Sequence, residues 1–235
     1  MKIQKLKARA YSYGGKRALF TVIGIVIHYT GNSNDTAEAN AKYFAYTNTR
    51  SAGAHFFVDR SGNIWQSVPM NRIAWSVGCI YTTKNGAGKY YKILTNSNTV
   101  SIELCDIAKR DPSPAQIKAT RELVAYIQKQ CPNAKRIVRH WDVNGKLCPY
   151  RMVGVDNPKW QTFLSEITGG TVTKPKAKTK TTTANLNLRT GASTKYRVLI
   201  TMPKGSTVTV LESGKNWSKV KYKNKVGWCS NAYLK

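Results

Sequence analysis

Acidic residues and histidines are scarce in this sequence. Its 235 residues include 11 Asp and Glu against 38 Lys and Arg, which gives a net charge of +27, and only three are histidines. A chain so basic attracts polyanions, whether nucleic acid, an anionic membrane or a bacterial wall polymer, and charge alone does not choose among them. Because 41% of the residues are hydrophobic, the chain can bury a core, and wholesale disorder is excluded.

Long apolar runs are also absent. None approaches the roughly 18 residues that a membrane-spanning helix needs, so the sequence predicts no membrane insertion. Residues 19–27 resemble the core of a signal peptide, but the stretch that follows is long and polar, which favours a buried strand and predicts no signal peptide. The five cysteines are an odd number without a CxxC pair, and this predicts reduced thiols.

Composition divides the chain into three parts. Residues 169–183 are rich in Thr, Lys, Gly and Pro, as is typical of a flexible basic linker. The sequence therefore predicts a catalytic domain over 1–168, a linker over 169–183 and a second domain over 184–235. Strands and helices alternate in the first domain, which predicts an α/β fold with a mixed central sheet flanked by helices. Short strands separated by turn residues predict a small all-β barrel in the second.

Apolar patterning and capping residues predict the individual elements. In the first domain, strands are expected over 19–28, 54–59, 63–68, 99–105 and 136–139, and helices from Asp35 to about Tyr46, from Ser113 to Cys131 and from Asn157 to Ile167. In the second, strands are expected over 186–189, 197–202, 207–212, 217–222 and 226–229.

Two histidines and one cysteine form a candidate zinc site. His28 and His140 each end a predicted strand, and strand ends at one sheet edge are where α/β proteins place their sites. Cys148 lies eight residues beyond His140 on a loop that contains glycine and could fold back toward it. Two imidazoles and a thiolate leave the fourth position of a catalytic zinc open. Taken singly, a core-packed His28, a surface His140 and an inert Cys148 are the better interpretations, but the three together, with a lysine between two of them, favour a metal site.

Zinc-assisted hydrolysis also needs a base and a positive group near the oxyanion. Glu103 is the best candidate for the base because it interrupts an apolar strand, where an unpaired carboxylate would be costly; the alternative is a structural salt bridge. Lys146, two residues before Cys148, is the candidate cation. His55 is as consistent with core packing as with substrate contact, and could replace Cys148 as a ligand. Trp75 is a candidate for the lining of the substrate groove.

Four motifs of the first domain resemble, in their order, a known family. They are Ile25-Val26-Ile27-His28-Tyr29-Thr30, Gly53-Ala54-His55-Phe56-Phe57-Val58-Asp59, Ser101-Ile102-Glu103-Leu104 and Arg139-His140-Trp141-Asp142-Val143-Asn144-Gly145-Lys146-Leu147-Cys148-Pro149. The resemblance, over roughly residues 20–167, is to the type 2 N-acetylmuramoyl-L-alanine amidases, zinc enzymes of phage endolysins and bacterial autolysins related to peptidoglycan recognition proteins.

The resemblance implies one zinc ion bound by His28, His140 and Cys148, with Glu103 as general base and Lys146 as oxyanion stabiliser. It also implies hydrolysis of the amide between N-acetylmuramic acid and L-alanine, and hence bacterial lysis. Ser76 stands where the family often has a histidine, so substrate contacts on that side are left open.

Residues 184–235 resemble a bacterial SH3 domain, through Leu186-Asn187-Leu188-Arg189-Thr190-Gly191 and Val226-Gly227-Trp228-Cys229 among others. This implies that peptidoglycan and its anionic wall polymers are the partners. Without an export signal, the protein is expected in the host cytoplasm until the membrane is breached, and then at the cell wall. The alternative is a non-catalytic peptidoglycan-binding protein of the same fold. No nucleic-acid-binding signature is recognised, so no specific nucleic acid is expected. The oligomeric state is left open.

Overall fold

The computed structural model describes residues 1–78, 81–169 and 179–235. The chain divides into two compact units, Met1–Val172 and Thr173–Lys235. No helix within the described ranges is long and apolar enough to cross a membrane.

The first unit is built on a six-stranded mixed sheet. Its strands and helices, in chain order, are β1 (Ile3–Lys5), β2 (Tyr13–Lys16), β3 (Gly24–Tyr29), α1 (Ala37–Lys42), β4 (Phe56–Val58), β5 (Ile64–Gln66), β6 (Arg72–Ala74), β7 (Thr99–Leu104), α2 (Pro114–Gln130), β8 (Arg136–Arg139), α3 (His140–Asn144) and α4 (Pro158–Thr168). The sheet order is β1-β5-β4-β7-β3-β8, and only the β4–β5 pair is antiparallel. β2 and β6 form a separate antiparallel pair. The predicted mixed sheet with flanking helices is confirmed.

Helices α2 and α4 cover one face of this sheet and close the main core. Side chains of the central strands, among them Ile27, Phe56 and Ile102, pack there against Leu123 of α2 and Phe163 of α4. Both helices begin where their capping residues predict. Ser113 accepts the N–H of Gln116, Asn157 accepts the N–H groups of Lys159 and Trp160, and a proline opens each first turn.

Several predicted elements have other bounds in the structure: the strands expected over 54–59 and 63–68, for example, are Phe56–Val58 and Ile64–Gln66. The strand expected over 19–28 is shorter, because Leu19–Thr21 is a 3-10 turn and Phe20 is 68% exposed. The first helix is capped by Thr36, not by Asp35. The carboxylate of Asp35 instead accepts the backbone N–H of Asp106, so it joins two loops. The three-residue strands β1 and β6 and the strand β2 were not predicted.

The second unit is an all-β structure, as predicted. Its strands are β9 (Thr179–Thr181), β10 (Leu186–Arg189), β11 (Val198–Met202), β12 (Thr207–Ser213), β13 (Trp217–Tyr222) and β14 (Lys225–Ser230). They pair in the order β11-β10-β14-β13-β12-β9, and every pair is antiparallel. Their inner side chains form a separate small core that includes Leu188, Met202, Val208 and Val220.

The predicted linker is described only at its two ends. Residues 170–178 lie outside the described residues, and Gly169 follows α4. Thr179–Thr181, which composition assigned to the linker, forms β9 and pairs with Thr207–Thr209 of β12. Backbone hydrogen bonds to β12 therefore order this segment, although its side chains lack the apolar pattern that would predict a strand.

Candidate metal centre and active site

Backbone register brings three of the predicted site residues to one edge of the first sheet. In the parallel pair β3–β7, His28 lies directly opposite Glu103. In the parallel pair β3–β8, Ile27 lies opposite Arg139, so His140 follows at the level of His28. Because all three strands are parallel, their carboxyl ends meet at this edge, which is where open α/β sheets bind ligands.

Cys148 reaches the same place because the chain reverses after α3. Gly145 ends α3 with φ +85°, a left-handed conformation that favours glycine. A Cβ at Gly145 would also lie 2.5 Å from the carbonyl oxygen of Thr82, so the loop leaves no room for a side chain. The backbone N–H of Trp141 then donates to the carbonyl oxygen of Cys148 at 3.0 Å, which holds the returning segment against the start of α3.

The three side chains His28, His140 and Cys148 form one buried cluster. Their candidate ligand atoms lie within 4.8 Å of one another, and none of the three residues is more than 2% exposed. The Sγ of Cys148 lies 3.8 Å from Nδ1 of His28. In a tetrahedral zinc site, a sulfur and a nitrogen ligand are about 3.6 Å apart.

Unsatisfied buried nitrogens test whether this cluster fits a metal ion. Within the described residues, neither ring nitrogen of His140 has a hydrogen-bond partner, and neither has Nε2 of His28. Leaving such groups buried and unpaired costs free energy, which coordination to a cation would repay. One sulfur and two imidazoles are the donor set that zinc prefers. The residues present therefore fit a zinc ion.

Burial also sets the protonation state of both imidazoles. Removal from water lowers the pKa of His28 well below its ordinary value, and His140 and Lys146 lower it further. Burial likewise lowers the pKa of His140 to about 3, with a smaller contribution from Lys146. Both imidazoles are therefore neutral at neutral pH, the form in which histidine binds metals.

Glu103 lies beside the cluster with a small part of its side chain exposed. Its Oε1 is 3.9 Å from Nδ1 of His28, and 18% of the side chain is exposed. Within the described part of the chain, its buried Oε2 has no hydrogen-bond partner. Burial raises the pKa of Glu103 to about 7, opposed by Lys146 and assisted by Asp35. A carboxylate with a pKa near neutral is suited to general base catalysis.

Lys146 faces the same site from the exposed loop after α3. Its side chain is exposed, and its backbone N–H donates to Oδ1 of Asn144. Its positive charge acts on His28, His140 and Glu103 together, lowering the pKa of each. The structure thus brings five predicted residues to one place.

His55 lies inside the protein rather than on a substrate surface. It is fully buried, and its Nδ1 lies 3.1 Å from the backbone N–H of Ser101, which donates to it. Its Nε2 lies 2.9 Å from Nη2 of Arg17 and 3.1 Å from the carbonyl oxygen of Arg72. Of the two interpretations that the sequence left open, this environment favours core packing. The His28, His140 and Cys148 cluster does not include His55.

Trp75 and Ser76 follow strand β6. Trp75 is 36% exposed, and its ring lies against Gly14, where a Cβ would be 2.6 Å from the indole. The backbone N–H of Ser76 donates to Oδ1 of Asn96 at 3.0 Å. Part of the indole of Trp75 is therefore open to solvent.

Sequence reasoning missed the pair that holds the start of α3. Arg139 is 5% exposed, and its Nε and Nη2 donate to the two carboxylate oxygens of Asp142 at 2.9 and 2.7 Å. Asp142 also accepts the backbone N–H of Arg139, at 2.8 Å. Arg139 and Asp142 are three residues apart at the start of a helix, a spacing at which side chains commonly pair, and this could have indicated the ion pair.

Comparison with known proteins identifies the family. The family model described as N-acetylmuramoyl-L-alanine amidase matches residues 19–151, which is more than half of the chain. The chain belongs to this amidase family. A second model, described as a bacterial SH3 domain, matches residues 184–235. The predicted resemblance to type 2 amidases with a bacterial SH3 domain is thus confirmed.

Curated relatives and a solved structure agree with this amidase assignment. The chain is 27% identical over 223 residues to the N-acetylmuramoyl-L-alanine amidase CwlL of Bacillus licheniformis, covering 92% of this chain and 55% of CwlL. It is 28% identical over 159 residues to the amidase XlyB of Bacillus subtilis, covering 65% of this chain and 45% of XlyB. The chain thus spans about half the length of these relatives.

A mutant structure of PlyL shares the fold. It is 24% identical to this chain, with a TM-score of 0.56, and the match covers 72% of this chain and all of the PlyL chain.

Proposed function

We propose that this chain is a zinc-dependent hydrolase of bacterial peptidoglycan. It would cleave the amide bond between the lactyl group of N-acetylmuramic acid and the L-alanine of the stem peptide. Membership of the amidase family supports this substrate. The observation that carries the chemistry is the buried cluster of His28, His140 and Cys148 beside a carboxylate whose pKa is raised to about 7.

His28, His140 and Cys148 would hold the zinc ion. Three protein ligands leave one position for solvent or substrate, as in other catalytic zinc sites. The chemistry that a bound zinc ion supplies is acidification of water and polarisation of a carbonyl. The neutral imidazoles of His28 and His140 need lose no proton to become ligands.

Glu103 would move the proton. Its carboxylate can accept a proton from the attacking water as the water oxygen bonds to the lactyl carbonyl carbon. The same proton then passes to the nitrogen of the leaving alanine as the amide bond breaks. Burial raises the pKa of Glu103 to about 7 in the metal-free protein, and this effect of burial favours a carboxyl that can both take up and release a proton.

Lys146 would stabilise the negative charge that develops on the carbonyl oxygen. Its exposed ammonium lies near enough to influence three groups of the site, and it extends from a loop fixed by Asn144. A positive group aimed at the oxyanion lowers the barrier of acyl transfer.

The second unit would bind the cell wall. Its match to a bacterial SH3 domain and its basic composition fit peptidoglycan and anionic wall polymers as partners. Tethering raises the effective concentration of the catalytic unit on an insoluble substrate. The site of action would be the bacterial wall, and digestion there would lyse the cell. A purely adhesive protein would need neither Glu103 nor Lys146 beside the His28, His140 and Cys148 cluster.

Product analysis tests this function. Purified protein incubated with Gram-positive walls should release new alanine amino termini and no new reducing sugars. A zinc chelator should stop the release, and added zinc should restore it. Glu103→Gln should be inactive with unchanged zinc content. Reducing sugars in place of amino termini would identify a glycosidase and overturn the proposal.

A further inference from the structure

The second unit carries many more basic than acidic side chains. Residues 179–235 include eleven Lys and Arg and a single acidic residue, Glu212, which lies opposite Lys219 in the β12–β13 pair and can offset one of these charges. Among the described residues, every ion pair belongs to the first unit, where Asp111, for example, binds both Arg151 and Lys159. Clustered cations without counter-charges repel one another and attract polyanions.

One face of the β13–β14 hairpin collects several of these cations beside aromatic rings. Lys219 lies opposite Trp228, Lys221 opposite Val226 and Trp217 opposite Ser230. Directly opposite residues of an antiparallel pair share a face, so the side chains of these six residues lie together. The alternating residues, including Val220 and Cys229, are buried in the small core. We call the face formed by Trp217, Lys219, Lys221, Val226 and Trp228 the hairpin face.

Arg189 extends the hairpin face onto a third strand. It lies opposite Trp228 in the β10–β14 pair, so Lys219 and Arg189 are on either side of one indole. With strands about 4.8 Å apart, the two cations and the ring lie in a row about 10 Å long. The guanidinium of Arg189 is held by the neighbouring loop, because its Nη1 donates to the carbonyl oxygens of Thr194 and Tyr196 at 3.0 and 2.9 Å.

We propose that the hairpin face and Arg189 bind the phosphodiester-linked polyol or sugar chain of an anionic wall polymer. This inference rests on the proposed function, which places the protein at the wall. Lys219 and Lys221 are two residues apart on one strand, about 7 Å along it, so they can pair with successive phosphates of an extended chain. The indoles of Trp217 and Trp228 offer apolar surface to the carbon segments between phosphates.

The exposure of the two tryptophans favours a wall polymer over nucleic acid. Sequence-independent binding of single strands relies on aromatic faces on which bases stack. Trp217 and Trp228 are both only half-buried, and Trp228 stands between Lys219 and Arg189 on the neighbouring strands. A half-buried indole exposes less than its full surface, which suits narrow polyol or sugar segments better than whole bases.

Co-sedimentation of the full chain with purified Gram-positive walls tests the inference. The test variant is Lys219→Glu/Lys221→Glu, and the control is Lys204→Glu/Lys235→Glu, which makes the same charge change away from the hairpin face. Each is measured on intact walls and on walls from which phosphodiester polymers have been removed chemically. Trp228→Ala, checked for thermal unfolding, probes the aromatic contribution, and a short DNA duplex serves as competitor.

On this inference, the test variant should bind intact walls at least about tenfold more weakly than the control. The slope of the logarithm of its affinity against the logarithm of the salt concentration should be shallower by about 1.5 to 2. Wild-type binding to stripped walls should fall to the level of the test variant. Equal weakening of test and control variants, full binding to stripped walls, or DNA competing as well as free wall polymer would each overturn it. Amidase activity on soluble fragments should be unchanged in all variants. If the wild type lacks that activity while the binding pattern holds, only the proposed function fails.

Discussion

Arg139 and Asp142 form a bidentate ion pair across the first turn of α3, with His140 between them in the chain. Nε and Nη2 of Arg139 bind the two oxygens of the Asp142 carboxylate. The guanidinium also lies 4.5 Å from the ring centroid of Trp141 and 5.3 Å from that of Trp160. In metal sites, the second nitrogen of a ligand histidine usually has a hydrogen-bond partner. His140 has none within the described residues, so its orientation depends on the backbone that this pair fixes.

Arg139→Ala should therefore weaken zinc binding without removing a ligand. Loss of the pair frees the start of α3 and the position of His140, and we expect zinc affinity to fall about 10- to 100-fold. Competition with a chromophoric chelator at pH 7 measures this. Arg139→Lys, which cannot form the bidentate pair, should be nearly as weak. Arg121→Ala removes an arginine that binds a carbonyl of α4 and should leave affinity unchanged. Equal affinities for Arg139→Ala and wild type would contradict this role.

The raised pKa of Glu103 predicts a cost in stability for the metal-free protein. Burial raises the folded-state pKa to about 7, above the unfolded value of about 4.3, so the folded state binds the proton more tightly. Stability is then fully present at low pH and is lost as pH rises from about 4.5 to 7. Glu103→Gln should stabilise the metal-free protein above pH 7 by up to about 3 kcal/mol, and by little at pH 4.5.

Thermal unfolding of the metal-free variant at pH 4.5, 6 and 8 checks this expectation. The matched control is Glu122→Gln, which removes an exposed carboxylate of α2. A stabilisation of Glu103→Gln that is the same at all three pH values would mean that ionisation of Glu103 is not its source. In the zinc-loaded protein the same substitution should lower the rate of amide hydrolysis about 10²- to 10⁴-fold.

Gly145 should be required for both folding and metal binding. Its φ of +85° disfavours any side chain, and a Cβ there would contact Thr82. Gly145→Ala should cost about 1 to 3 kcal/mol and weaken zinc binding, because relief of the contact displaces the segment that ends at Cys148. Gly169 also follows a helix with a left-handed φ, of +72°, but a Cβ there meets nothing within 4 Å.

Gly169→Ala is therefore the matched control. It carries the backbone strain without the contact, so its loss of stability should be smaller and its zinc affinity normal. Chemical denaturation and chelator competition measure both quantities. Equal effects of the two substitutions would show that the left-handed conformation alone, and not the space beside Thr82, makes Gly145 necessary.

The metal cluster was predictable because its residue types are rare and its positions regular. The chain has three histidines, and two of them lie at the ends of predicted strands, so few other histidine sites are possible. The carboxyl ends of parallel strands meet at one edge of the sheet, which brings these two histidines together. The hydrophobic periodicity of the strands and the positions of the histidines at their ends are both visible in the local sequence. Glu103 stood out for the same reason, as a charge in an otherwise apolar strand.

The elements that sequence did not predict are held by backbone pairing or by distant partners. β1 pairs with β5 over three residues, too few for any side-chain period to show. β9 lies in a Thr- and Lys-rich stretch, and its order comes from hydrogen bonds to β12. The environment of His55 depends on Arg17 and Ser101, which are 38 and 46 residues away in the chain. Contacts at such separations leave no local pattern.

The environment of His55 predicts a structural effect that grows in acid. Burial, and then the charge of Arg17, lower the pKa of His55 to about 3, so the folded protein keeps this imidazole neutral while the unfolded chain protonates it below about pH 6.5. The stability linked to His55 is therefore full above pH 6.5 and is lost as pH falls toward 3.

His55→Gln should destabilise the protein by about 1 to 3 kcal/mol at pH 7 through the lost buried hydrogen bonds. Its stability should then decline less steeply than that of the wild type between pH 6.5 and 4. The Michaelis constant for soluble fragments, measured where the variant is folded, should not change. A raised Michaelis constant with normal stability would instead place His55 on the substrate.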